Sequence, residues 1–167
     1  AVFQGLVKPL VFGEPQQWMA LLVEAQQSLA KGDADRFLEL NAQAFEQAPT
    51  SSGTINGEPF EWLADADQRF GPVLEMVFNG QYYWTPMHSI KTLRSEIPSD
   101  LRDLFWLPAE VTWSNGGQSM VMLPARYPSL AGLDDESLLS RKTAWLDHGR
   151  DVFEGKGLRM LATDQAD

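Results

Sequence analysis

Three Asn-Gly pairs, Asn56-Gly57, Asn79-Gly80 and Asn115-Gly116, do most to limit what this chain can fold into, and all lie beyond residue 50. Asn and Gly tolerate the positive φ angles of a type I′ turn, so each pair marks a two-strand hairpin. The second is the clearest: Val73 to Phe78 leads in as an apolar run, and Gln81-Tyr82-Tyr83-Trp84 leads out. The third joins Glu110–Trp113 to Ser119–Leu123, and the extra Gly117 predicts a longer loop or a bulge. Ile90 to Arg94 adds a strand, and Gly157 to Thr163 reads as a closing strand. Short strands joined by tight turns pair antiparallel with their neighbours.

The first fifty residues have a different texture. Trp18, Leu21, Leu22, Ala25 and Leu29 follow helical spacing behind Glu14-Pro15, with Pro15 near the first helical position, and Lys31-Gly32 ends that helix. Asp33 or Asp35 caps a second helix whose apolar stripe is Phe37, Leu40, Ala44 and Phe45, closed by Ala48-Pro49. Further on, Pro98 to Leu104 reads as a short helix capped by Ser99 or Asp100. Tyr127-Pro128 to Gly132 reads as a linker. Asp134-Asp135-Glu136 opens a helix with acids at its positive end; Leu138, Leu139 and Trp145 fall on its buried side, and Gly149 ends it. The expected class is α+β. A helical hairpin at residues 1–50 precedes an α+β domain at 51–167, built as a mostly antiparallel sheet or small barrel with a few short helices.

Composition narrows the function. At 167 residues the chain can bury one good core. Its net charge of −10 argues against nucleic acid and anionic membrane surfaces, which need clustered Lys and Arg, and favours a basic protein partner. With no cysteine there are no disulfides, no thiolate chemistry and no Cys-ligated zinc, which fits a cytosolic protein. No apolar run approaches a membrane span, and Lys8, Pro9 and Gly13 break the only candidate leader. The chain opens in mid-pattern without an initiator Met, which reads as a fragment or processed product.

Catalytic constellations are scarce. His88 and His148 have no partner at metal-ligand spacing. Gly117-Gln118-Ser119 begins like a nucleophile elbow, but the closing Gly is missing and the segment reads as a strand. Asp65-Ala66-Asp67 starts like a calcium loop, but Arg69, Phe70 and Met76 occupy positions that need an oxygen ligand, Gly and Glu. No Gly-rich phosphate loop occurs. Glu61, Asp65 and Asp67 form the one acid/base or metal set worth naming, for a carboxylate- or metal-dependent hydrolase. Their simpler role is local: Asp65 and Asp67 cap or pair, with Arg69 within reach, and hold a bend before Gly71-Pro72. No catalytic, cofactor or metal residues are assigned.

The aromatic residues are the remaining candidates. Phe60, Trp62, Tyr82, Trp84 and Trp106 fall on or beside strands, where Tyr82 and Trp84 share a face. Most are expected in the core, with one or two left exposed as partner anchors, since Tyr and Trp are enriched at binding hot spots.

The run GTINGEPFEWLADADQRFGPVLE, then NGQYYW, resembles the ImpE family, also called TagJ, an accessory protein of bacterial type VI secretion. Asp100 to Leu104, Trp106 to Val111, Pro124 to Pro128, Arg159 to Asp164, and Phe12 to Pro15 with Trp18 extend the similarity in order along almost the whole chain. The resemblance implies a cytoplasmic, non-enzymatic protein with a tetratricopeptide-like helical region, of which residues 1–50 are the end. It also implies binding to the small sheath subunit TssB through a helical segment, with the ClpV-type ATPase as an indirect partner. It carries no catalytic or cofactor residue. A purely structural domain that self-associates is the other non-enzymatic expectation.

Overall fold

The computed structural model describes residues 1–96, 100, 105–128 and 142–165. Two helices form, α1 at Gln17–Ala30 and α2 at Ala34–Gln47. On α1, Trp18, Met19, Leu22 and Val23 are buried, one stripe of a 3.6-residue period. Gly32, at φ +81°, turns the chain, and the Asp33 carboxylate accepts from the Arg36 backbone N–H at 3.1 Å to cap α2. Pro15 does not start α1. Gln16 holds the cap position in extended conformation, its side chain bound to Trp18 and His88, so the helix begins two residues after the proline.

A six-stranded sheet carries the fold. Its strands are β1 Leu10–Val11, β5 Val73–Phe78, β6 Gln81–Pro86, β7 Ile90–Ser95, β8 Trp106–Trp113 and β9 Gln118–Pro124, in the order β1-β6-β5-β9-β8-β7. Every pair is antiparallel except β1 with β6. The sheet is open, with β1 and β7 at its edges, so the open form of the expected sheet holds and the barrel does not. Smaller pairs surround it: β2 Gly53–Ile55 with β3 Glu58–Phe60, β4 Leu63–Asp65 with β12 Leu161–Thr163, and β10 Thr143–Asp147 with β11 Phe153–Gly157.

The three Asn-Gly pairs sit at three hairpin turns. Asn56 and Gly57 take φ +51° and +88°, Asn79 and Gly80 +49° and +73°, the type I′ pattern. At the third, Gly116 takes φ +90°, and the Trp113 N–H reaches past it to the Gly117 carbonyl at 2.8 Å, which makes the loop longer as Gly117 predicted.

The C-terminal region departs from expectation. Residues 143–147 are strand, not helix, and Trp145 is 42% exposed. Gly149, Arg150 and Asp151 all take positive φ, closing a hairpin onto β11, whose Gly155 N–H is held by Asp67. Long-range pairing overrides the helical pattern there. Tyr127 is buried rather than in a linker, and the closing strand is only Leu161–Thr163, because Arg159 turns inward. The rest of the helix expected from Asp134, the linker beyond Pro128, and all but Asp100 of the Pro98–Leu104 helix lie outside the described residues.

Both faces of the sheet are packed. One buries Val73 and Trp84 against Trp18, Met19 and Leu22 of α1, with Phe70 and Tyr127. The other buries Leu74, Met76, Val111, Trp113 and Val121, with Leu63 and Leu161 laid across them.

Candidate functional site

The acidic run Asp65–Asp67 folds into the interior. Asp65 closes β4, and the chain bends at Asp67, where the Gly71 N–H returns to the Asp67 carbonyl at 3.1 Å. Asp67 Oδ1 accepts the Arg69 backbone N–H at 2.8 Å, while Oδ2 accepts Arg69 Nη2 at 2.6 Å and the Gly155 N–H at 2.7 Å. Glu154 meets the same guanidinium at 3.3 Å and His148 Nε2 at 2.9 Å.

A second ion cluster lies alongside. Asp65 accepts from Tyr127 Oη at 2.7 Å, from the Asp67 N–H at 2.9 Å, and from Arg159 Nη1. Arg159 Nη2 donates to Glu75, and Glu75 also accepts from Tyr82 Oη, which in turn accepts from Trp84 Nε1 at 2.8 Å. Arg159 Nε donates to the Pro124 carbonyl at 3.1 Å. Asp65, Asp67, Glu75, Arg69 and Arg159 are all nearly or fully buried.

Burial dominates the electrostatics. It pushes the Asp65 carboxyl up against the pull of Arg159, and pushes the Arg159 guanidinium down against Asp65. Burial also raises the Tyr82 and Tyr127 hydroxyls, at Tyr127 with the neighbouring Asp65 adding to the shift. For Arg69 burial acts against the charge, but Asp67 and Glu154 outweigh it and hold the pKa up. These are paired, hydrogen-bonded ions whose oxygens are taken by protein donors. Among the described residues no group of three or more His, Asp or Glu is placed to hold a metal.

The named acid set therefore does not assemble. Asp65 and Asp67 are buried with their arginines, while Glu61 is exposed and contributes its backbone N–H to Asp164 at 2.7 Å. The local reading, with Asp67 paired to Arg69 at a bend, is the arrangement found.

The five aromatic candidates separate. Trp84 is 0% exposed and belongs to the core, which removes it as a contact residue. Tyr82 is half-buried, its hydroxyl committed to Glu75. Phe60 lies across its own hairpin, so close that a Cβ on Gly53 would fall 2.9 Å from the ring. Trp62 and Trp106 are each 41% exposed. Trp62 stands at the lip of a cleft of about 400 Å³ between the end of α2 and β4. Trp106 borders a smaller one, about 260 Å³, with Phe3, Tyr82 and Tyr127.

Sequence reasoning missed Glu75, Arg159, Tyr127 and Glu154 as network members. Glu75 had a signal: it interrupts an apolar strand at a position two residues from Val73 and Val77, on the face that Trp84 shares. A charge facing a core side needs a buried partner. Arg159 and Tyr127 carried no comparable mark.

Two packed sheet faces, a helical hairpin and a buried ion network define an α+β domain that leaves Trp62 and Trp106 partly exposed. The ImpE protein family profile matches residues 57–167, and the chain belongs to that family. It is 48% identical over 164 residues to the type VI secretion system accessory component TagJ of Pseudomonas aeruginosa, covering 98% of this chain and 57% of that protein. The crystal structure of the Vibrio parahaemolyticus protein VPA1032 superposes with a TM-score of 0.86 at 26% identity, over 97% of this chain and 61% of that one. The chain thus spans somewhat more than half the length of these two relatives. No helix among the described residues is long and apolar enough to cross a membrane.

Proposed function

We propose that this chain is an accessory, scaffold-type component of bacterial type VI secretion that works through protein–protein contacts, and that its partner is the small, TssB-like sheath subunit. The observation that carries the reading is the 48% identity to the Pseudomonas accessory component across 98% of the chain. The site chemistry is consistent with it. The buried carboxylates are engaged by arginines, tyrosine and backbone donors, and the surface offers Trp62 and Trp106 instead. A net charge of −10 speeds encounter with a basic partner surface.

The test is a calorimetric titration of this chain with the purified small sheath subunit at low and high salt. Micromolar or tighter binding that weakens with salt is the expected result. Heat no different from dilution at either salt concentration is the result that sinks the sheath-binding reading for these residues.

A further inference from the structure

We propose that the cleft between the C-terminal end of α2 and β4 docks an apolar side chain from a partner segment that also carries lysine or arginine; this rests on the protein–protein reading above. The cleft holds about 400 Å³, room for a large aliphatic or aromatic side chain. Its walls are mainly apolar, with Phe45, Ala48, Pro49, Leu63 and Pro72, and Thr50, Ser51, Asp65 and Gln68 add polar groups. Trp62 stands at the lip with 41% of its surface exposed, the kind of amphipathic ring that anchors an interface. Inside, the Ser51 hydroxyl oxygen is buried and makes no hydrogen bond among the described residues, so a donor or acceptor brought in by a partner has a place to go.

The charge around the cleft selects the partner. Between Arg36 and Arg69 the sequence has no lysine or arginine, and it has none after Arg159. Arg69 and Arg159 themselves are buried in ion pairs. Glu46 in the last turn of α2, Glu61 beside Trp62, and Asp164, which accepts from the Glu61 and Trp62 backbone N–H groups, are all exposed acids. The end of α2 adds its own partial negative charge, with no basic residue in the last turn to offset it. A mainly apolar hollow flanked by the exposed acids Glu46, Glu61 and Asp164 fits a basic, apolar segment and repels an acidic one.

The experiment compares the whole chain with Trp62→Ala, with a Glu46→Lys/Glu61→Lys pair, and with Met120→Ala, at a 63% exposed position of β9 outside the cleft lining, each titrated with the small sheath subunit and checked by thermal melts. Glu46→Lys complements the helix end, so lost affinity in the pair would not reflect a weakened fold. Expected are a loss of about tenfold or more for Trp62→Ala, a salt-dependent loss for the charge pair, and no change for Met120→Ala. Wild-type binding that none of the cleft variants weakens overturns the cleft and leaves the sheath reading standing. If the wild type does not bind the subunit, the sheath reading falls and the cleft is judged alone. NMR shifts of the Trp62 indole and Ser51 amide with a lysine–leucine peptide, but not with its glutamate–leucine counterpart, support it. Shifts with neither peptide, or equally with both, overturn it.

Discussion

Arg159 is the residue on which the interior depends most. Its guanidinium is the cation for both Asp65 and Glu75, and it also donates to the Pro124 carbonyl. Replacing it with Met keeps much of the volume but leaves two carboxylates buried without a cation, at a cost of roughly 3–5 kcal/mol. Urea denaturation reads this directly. A loss below about 1 kcal/mol, as for surface pairs, would mean that the network is wetter than its burial implies. Arg36, which meets Glu24 and Glu39 on the surface, serves as the contrast: Arg36→Ala should leave the midpoint unchanged. The sequence does not separate these arginines, because a charge becomes structural only when the fold takes water away from it.

Turns and helix ends show where local chemistry suffices and where it does not. Gly80 has φ +73° and open space where a Cβ would go, so Gly80→Ala costs only the strain of a left-handed alanine, about 1–2 kcal/mol. Gly71 also has positive φ, +55°, but there a Cβ would lie 2.3 Å from the Phe45 ring. Gly71→Ala therefore adds overpacking to strain, and we expect the larger loss, by about a further 1–3 kcal/mol. Chemical denaturation of both variants checks the order; equal losses would show that Phe45 swings aside freely. The Asn79-Gly80 turn was legible in the sequence because two residues carry its whole cause. The importance of Gly71 was not, because Phe45 approaches it from a helix well upstream. Trp145 marks the opposite failure: a helical pattern that lost to strand pairing with Gly155.

Across the whole molecule, one polar chain ties the helical hairpin to the sheet. Trp18 Nε1 donates to Gln16 Oε1 at 2.6 Å, which turns the Gln16 amide N–H toward His88 Nε2 at 3.2 Å, just after β6. That ring nitrogen accepts only while unprotonated, and burial lowers the His88 pKa below its ordinary 6.5. The sign follows from the lowered value. Above pH 6.5 the ring is neutral in both states and the contribution is intact; as pH falls from 6.5 toward the folded-state value, the unfolded chain binds the proton first and stability is lost. Unfolding of wild type and His88→Gln at pH 7.5 and 5.5 should show the wild-type advantage shrinking with acid. A ring resonance titrating at or above 6.5 in the folded protein would contradict it.

By itself the sequence determined the helical hairpin, the turns of the hairpins after residue 50, the α+β class and the family, because periodicity, capping and Asn-Gly turns act over a few residues and family motifs are read in order. Only the tertiary structure decided that the sheet stays open and that Asp65 and Asp67 serve two arginines. It also decided that Trp84 lies inside while Trp62 stands at the lip of an acid-rimmed cleft. Burial is a property of what packs against a residue, and for these the packing partners come from far along the chain.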